Sequence, residues 1–254
     1  MEKMLGGDFE PIARRQLPLF FLIDTSGSMD GSKIGTVNNT MRELFEELQG
    51  AGEADAEIKV AILTFSSGCQ WLTPTGPQSP EKIVWSDLKA NGLTDLGDAC
   101  IELSKKMSRK EFMQSVSSTF APIVILLSDG DPTDNYKKGI EALQGNKWFT
   151  NALVLALPIG TDVNTDVLAE FTGNKEAVLK AVTNAAQLKK MMKTVSITAA
   201  QIGSRSYVNS EDDDGKTKLD AFLDVIKDAE NEPPDADDKG GVDPKDINPE
   251  DEDW

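Results

Sequence analysis

The sequence predicts a doubly wound α/β domain of three layers, a mostly parallel sheet covered by helices on both faces. Three observations carry this prediction. Between residues 17 and 200, short apolar runs that lack polar alternation take turns with amphipathic stretches of helical period. Strands without alternation are buried on both faces, which is how parallel sheets are built. Two of these runs end on an aspartate, Asp24 and Asp129, and the carboxyl ends of such strands are where doubly wound folds place their ligands.

The elements follow in order. Residues 17–23 form a continuous apolar run around Pro18 that ends on Asp24. Residues 33–48 carry Ile34, Val37, Met41, Leu44, Phe45 and Leu48 at spacings of three and four, the stripe of a surface helix. Residues 57–65, rich in Ile and Val, predict the next strand, and residues 69–73 a short partner strand with Gly68 in the turn. Residues 94–107 read as a helix, 122–127 as a buried strand, 134–143 as a helix and 152–159 as a buried strand. A short helix at 166–171, an edge strand at 176–182 and a closing helix at 185–202, burying Leu188, Met191, Met192, Val195 and Ala199, complete the domain.

Charge divides the chain. Of 43 acidic and 26 basic residues, 18 and 5 lie in residues 211–254, so this segment carries −13 of the net −17. The remaining body has 25 acidic and 21 basic residues, a net of −4. The expected organisation is an N-terminal extension at 1–16, a domain at 17–205 and an acidic, largely disordered tail at 206–254. Within the tail, Leu219, Phe222, Leu223 and Ile226 have helical spacing and predict a short helix at 217–230, docked on something. Such a polyanion repels phosphate, so direct nucleic-acid binding is not expected. No apolar run reaches the roughly 18–20 residues that span a bilayer, and no membrane role is expected.

The chain has no histidine and only two cysteines, Cys69 and Cys100. Ser-His-Asp and Cys-His machinery is therefore ruled out, and a structural zinc disfavoured. Both cysteines read as reduced, semi-buried thiols of a cytoplasmic protein, with Cys100 in a helix core. A bound metal would be a hard ion held by oxygen.

One constellation carries chemistry. In Asp24-Thr25-Ser26-Gly27-Ser28 a carboxylate and two hydroxyls stand at alternate positions on a turn that Gly27 permits. Alone, the pentapeptide equally suits a strand-end carboxylate capping a turn with two loop serines. Mg²⁺ needs near-octahedral oxygen, so other loops must complete its shell, and Thr94 and Asp129 are the candidates. Asp131 and Asp134 read as turn and helix-cap residues, and Asp95 and Asp98 as first-turn acids favoured by the helix dipole.

In this order, the Asp-x-Ser-x-Ser turn, a lone Thr opening a helix and an Asp-Gly ending a buried strand resemble the metal-ion-dependent adhesion site of von Willebrand factor A (VWA) domains. The resemblance covers about residues 17–202. It implies the Rossmann-like VWA fold, a mostly parallel central sheet with one antiparallel edge strand and the metal at the strands' carboxyl ends. It further implies metal ligation by Asp24, Ser26, Ser28, Thr94 and Asp129. Ser26 and Ser28 would bind directly, Thr94 directly or through water, and the two aspartates mainly through water. Mg²⁺ is the expected ion, with Mn²⁺ or Ca²⁺ as alternatives, and a partner's Asp or Glu would complete the shell.

The words around the motif, Leu-Ile-Asp-Thr-Ser-Gly-Ser-Met and Leu-Ser-Asp-Gly-Asp-Pro-Thr-Asp, most resemble the bacterial TerY-like branch associated with tellurite resistance. That branch implies kinase-like and PP2C-like phosphatase proteins as partners, in stress response or defence. The acidic tail lies outside the family pattern. Two alternatives stand beside metal-bridged binding: a scaffold that docks a partner through the tail helix or Trp254, and a substrate of a neighbouring kinase or phosphatase. A tail carboxylate folding back onto the metal would give autoinhibition. Catalysis is not expected. Haloacid-dehalogenase-type enzymes carry Asp-x-Asp after the first strand, and here Ser26 stands in place of the second aspartate; neither a Gly-x-Ser-x-Gly elbow nor a phosphate-binding loop occurs.

Overall fold

In the computed structural model, which describes residues 14–49, 56–114, 118–203 and 218–231, five strands form one sheet in the order β3-β2-β1-β4-β5. β1 (Arg15–Asp24) is central and pairs in parallel with β2 (Ala56–Ser66) and β4 (Ile123–Ser128). β5 (Leu153–Pro158) continues the parallel sheet, and β3 (Gly68–Trp71) runs antiparallel along the outer edge of β2. The fold is therefore the α/β arrangement expected, with a mostly parallel sheet and one antiparallel edge pair. Pro18, which has no N–H to donate, is tolerated in the central strand because it stands between the isolated bridge Gln16↔Thr119 and the ladder to β4, which begins at Leu19.

The period of two hidden in the apolar runs sorts the core into two layers. Leu17, Leu19, Phe21 and Ile23 of β1, with Ile125 of β4 and Leu155 of β5, face one side. There they meet α1 (Ser32–Leu48), α6 (Ala185–Gly203) and α7 (Lys218–Asn231). Phe20 and Leu22, with Val124, Leu126 and Ala156, face the opposite layer. That layer holds α2 (Leu96–Lys106), α3 (Tyr136–Gln144), α4 (Lys147–Thr150) and α5 (Thr165–Thr172). Burial of both faces explains why these runs showed no polar alternation.

The groove anticipated for the tail helix is supplied by the chain itself. Phe222, Leu223 and Ile226 of α7 are buried in the same cluster as Val37 of α1 and Met192 of α6, each contributing about 2 kcal/mol of transfer free energy. This apolar face is therefore not open to a partner. The side chains of Ala199 and Leu219, and the remaining tail including Trp254, lie outside the described residues, as does most of the N-terminal extension.

Three further expectations are corrected. Residues 176–182 do not form a ladder: a 3₁₀ turn at Lys175–Ala177 is followed by two isolated parallel bridges, Ala156↔Val178 and Ile159↔Val182. Four steps from Val178 to Val182 face three from Ala156 to Ile159, so one extra residue breaks the register. Helix α2 starts at Leu96 rather than at Thr94, and α3 at Tyr136 rather than at residue 134, which leaves Thr94, Asp95 and Asp134 free for loop contacts. Cys100 is buried but Cys69 is exposed on the edge strand. Partial enclosure, with Glu102, Asp98 and Asp95 nearby, still pushes the Cys69 thiol up to about 11. Among the described residues no helix is long and apolar enough to cross a membrane.

Candidate functional site

Strand β1 delivers Asp24 to its carboxyl end, where the residue is fully buried. Its Oδ1 accepts a hydrogen bond from the Ser26 backbone N–H at 2.8 Å, and its Oδ2 accepts one from Ser128 Oγ at 2.6 Å. Ser128 Oγ in turn accepts from the Gly130 N–H at 2.9 Å, so one hydroxyl links the ends of β1 and β4. Burial raises the Asp24 carboxyl above its usual range, against the lowering effect of the Ser128 and Ser26 hydrogen bonds, and the charge of Asp129 adds to the rise.

The turn then places Ser26 Oγ 3.1 Å from Ser28 Oγ, with Ser26 buried and Ser28 exposed at the mouth. Gly27 is not needed for an unusual φ here. It opens a 3₁₀ turn (Gly27–Met29) and is not among the glycines of positive φ. What limits its side chain is the Gly92 carbonyl, 3.3 Å from where a Cβ would lie.

Thr94 is buried on a loop clamped from both sides. Asn91 N–H donates to the Thr25 carbonyl and Gly27 N–H to the Gly92 carbonyl, tying the loop to the serine turn. On the other side Thr94 N–H donates to Thr133 Oγ1, and Thr133 N–H to the Thr94 carbonyl, both at 2.9 Å. Asp95 accepts from the Gly68 N–H rather than serving in the first turn of α2, where Asp98 stands. Asp134 also departs from expectation. It caps α2, accepting from the Gly97 and Asp98 N–H groups at 3.1 Å, and does not cap α3.

Asp129 follows β4 and is 97% shielded, with a side-chain exposure of 3%. Its Oδ2 pairs with Lys33 Nζ at 2.8 Å, while its buried Oδ1 has no hydrogen-bond partner. Ser28, Lys33 and Asp129 line one open cleft of ≈ 470 Å³ together with Asp131, Asp162, Val163 and Asn164. A larger hollow of ≈ 710 Å³ lies between α3 and α5 and is lined by none of the five candidate residues.

The structure thus gathers Asp24, Ser26, Ser28 and Asp129 at one corner and brings the Thr94 loop against them. These donors suit a small hard cation: two buried carboxylates, a pair of neighbouring hydroxyls and an orphaned carboxylate oxygen. Among the described residues no three acidic or thiol side chains converge on one point, so the hydroxyls are indispensable to any such shell. Sequence reasoning missed Ser128 and Lys33. Ser128 was legible as the hydroxyl directly before Asp129. Lys33 was legible as a cation in the first turn of a helix, where the dipole disfavours it.

The family model of the von Willebrand factor type A domain matches residues 19–194. Inter-alpha-trypsin inhibitor heavy chain H4 of Bos taurus is 29% identical over 136 residues, 49% of this chain and 14% of that protein. A von Willebrand factor type A structure from Catenulispora acidiphila superposes with a TM-score of 0.54 at 17% identity, covering 73% of this chain and 43% of the other. Proximal thread matrix protein 1 of the mussel byssus, in a form with a zinc-occupied MIDAS motif, superposes with a TM-score of 0.52 at 19% identity, covering 74% of this chain and 46% of that one. The chain therefore spans less than half the length of these relatives, and the likeness to the solved structures concerns the fold. With more than half of its residues matched by the family model, the chain belongs to the von Willebrand factor type A domain family.

Proposed function

We propose that this domain is a metal-dependent protein-binding module in which Ser26, Ser28 and Thr94, with Asp24 and Asp129, hold Mg²⁺ or Mn²⁺. The observation that carries the reading is the buried, unpartnered Oδ1 of Asp129 in the corner where Ser26 and Ser28 hydroxyls lie 3.1 Å apart. A buried carboxylate oxygen without a donor is costly unless a cation satisfies it. VWA domains commonly serve protein–protein interaction, and the mussel relative carries zinc in its MIDAS motif, which is consistent with this role.

When bound, the ion supplies positive charge and an open coordination position for a partner's Asp or Glu. The residues of the chain do the rest. Ser128 and the Ser26 N–H hold Asp24 in one orientation, and the Asn91 and Gly27 hydrogen bonds hold the Thr94 loop against the serine turn. The small number of carboxylates favours Mg²⁺ or Mn²⁺ over Ca²⁺, which takes more oxygen ligands. Binding is favoured over catalysis because the sequence has no histidine and the lysine of the cleft is engaged by Asp129.

The narrower reading is a TerY-like protein of the cytoplasm, acting in stress response or defence with a kinase-like or PP2C-like phosphatase partner. It is supported by the words at 22–29 and 127–134, and co-purification with the products of neighbouring genes tests it. The central test is calorimetric titration with Mn²⁺ of the wild-type chain and of a Ser26→Ala/Ser28→Ala variant. Saturable binding by the wild type and its loss in the variant are expected; equal heats from both would overturn the site. A partner must then bind in Mg²⁺ and release in EDTA, and equal affinity in the two buffers sinks the metal bridge.

A further inference from the structure

We propose that Lys33 is a built-in counter-ion that competes with the divalent cation for Asp129 and so sets how tightly the domain holds its metal. This rests on the metal-site reading above and specifies the regulation of that same site. Lys33 stands in the first turn of α1 (Ser32–Leu48), at the positive end of the helix dipole, where a cation is locally unfavourable. A residue that breaks a local rule needs a tertiary reason. Here that reason is the 2.8 Å ion pair with Oδ2 of Asp129, a carboxylate with a side-chain exposure of 3%.

The lysine is held there by construction. Its stem lies over Gly160, where φ is +107 and a Cβ would come within 2.5 Å of Lys33 Cε. Gly160 itself is anchored by its N–H donating to the Val182 carbonyl at 2.9 Å. A side chain at Gly160 would push the end of Lys33 aside, and the positive φ also disfavours one.

The electrostatics then couple two cations. A buried carboxylate requires compensation, and the ammonium supplies it to Oδ2 while Oδ1 is left without a donor. A divalent ion shared by Asp129 and the serine hydroxyls would stand a few ångströms from the ammonium and repel it. Asp131 and Asp162 line the same cleft and offer the displaced ammonium a new partner. Lys33 thereby lowers the affinity for the ion alone, so that retention of the metal depends more strongly on the carboxylate a partner brings. It also preserves the Asp129 corner when the metal is withdrawn.

The test uses the full chain, Mn²⁺ calorimetry and thermal melts in EDTA and in Mn²⁺, with the wild type, Lys33→Met and Lys33→Gln. Lys33→Met keeps the apolar stem, and Lys33→Gln keeps a polar head in case the first variant folds poorly. Removal of the charge is expected to tighten Mn²⁺ binding by about tenfold, the order set by one nearby partly buried charge. In EDTA the variants are expected to melt about 5 °C lower than the wild type, and Mn²⁺ should close that gap. Equal Mn²⁺ affinity in all three proteins overturns the role of Lys33 while leaving the metal site intact. Absence of Mn²⁺ binding in all three overturns the metal site itself. Binding by the variants alone supports Lys33 as the resident cation and overturns the metal-bridged function of the wild type.

Discussion

The two halves of the site are built on different principles. The serine turn is local: Asp24, Ser26 and Ser28 are near neighbours in sequence, and the Ser26 N–H closes onto the Asp24 carboxylate two residues back. Its outward side is open, with Gly27 and Ser28 exposed. The Asp129 corner is assembled from afar and is tight. Lys33 reaches it from α1, Ser128 ties it to Asp24, and the Asn164 N–H donates to the Asp129 carbonyl at 2.9 Å. The difference is one of enclosure: the serine turn meets solvent, whereas the Asp129 side chain is packed away from it. In the proposed function a partner's carboxylate would approach the open serine side, while the Asp129 corner holds the buried charge.

This contrast can be broken at its tightest point first. Gly130 has φ +78, and a Cβ there would lie 2.5 Å from the Asn164 carbonyl oxygen. Gly130→Ala is expected to cost about 3 kcal/mol from backbone strain plus overpacking, read as a lower denaturation midpoint. A loss within 0.5 kcal/mol would show that the corner is not clamped.

The link between the halves comes next. Ser128→Ala removes the donor to Asp24 Oδ2 and the acceptor of the Gly130 N–H, and is expected to cost about 2 kcal/mol. Burial already raises the Asp24 carboxyl, so loss of the stabilising hydroxyl should make the domain more easily unfolded by denaturant at neutral pH. Unchanged stability would mean that the two strand ends are independent.

The smallest effect belongs to the open half. At Gly27→Ala the new Cβ meets the Gly92 carbonyl at 3.3 Å, a tight contact but with no unfavourable φ, and a loss of about 1 kcal/mol is expected. If the Gly27 variant proved as damaging as the Gly130 variant, the asymmetry between the halves would fall.

The parts legible in the sequence were those governed by local pattern. Continuous apolar runs at β1, β4 and β5 marked strands buried on both faces, and the stripe from Ile34 to Leu48 marked α1. The Asp-x-Ser-x-Ser turn was legible because carboxylate and hydroxyls share one short segment. The α4 turn, capped by Asn146 accepting from the Trp148 and Phe149 N–H groups, was missed because four residues carry too little periodicity. Asp134 was read as a cap for the helix that follows it, whereas in space it caps α2, 36–37 positions away. The outer segment at 176–182 has apolar residues suited to a strand, yet one surplus residue against β5 breaks its register.

By itself the sequence determined the layered α/β architecture and the oxygen-rich character of the site, because both follow from the period and chemistry of side chains along single segments. Tertiary structure alone decided that α7 covers the chain's own core, that Ser128 joins two strand ends and that Lys33 neutralises one oxygen of Asp129 while leaving the other unpaired. These outcomes depend on which groups meet after burial removes water. In that setting a charge must find a partner wherever the fold supplies one, regardless of its distance along the chain.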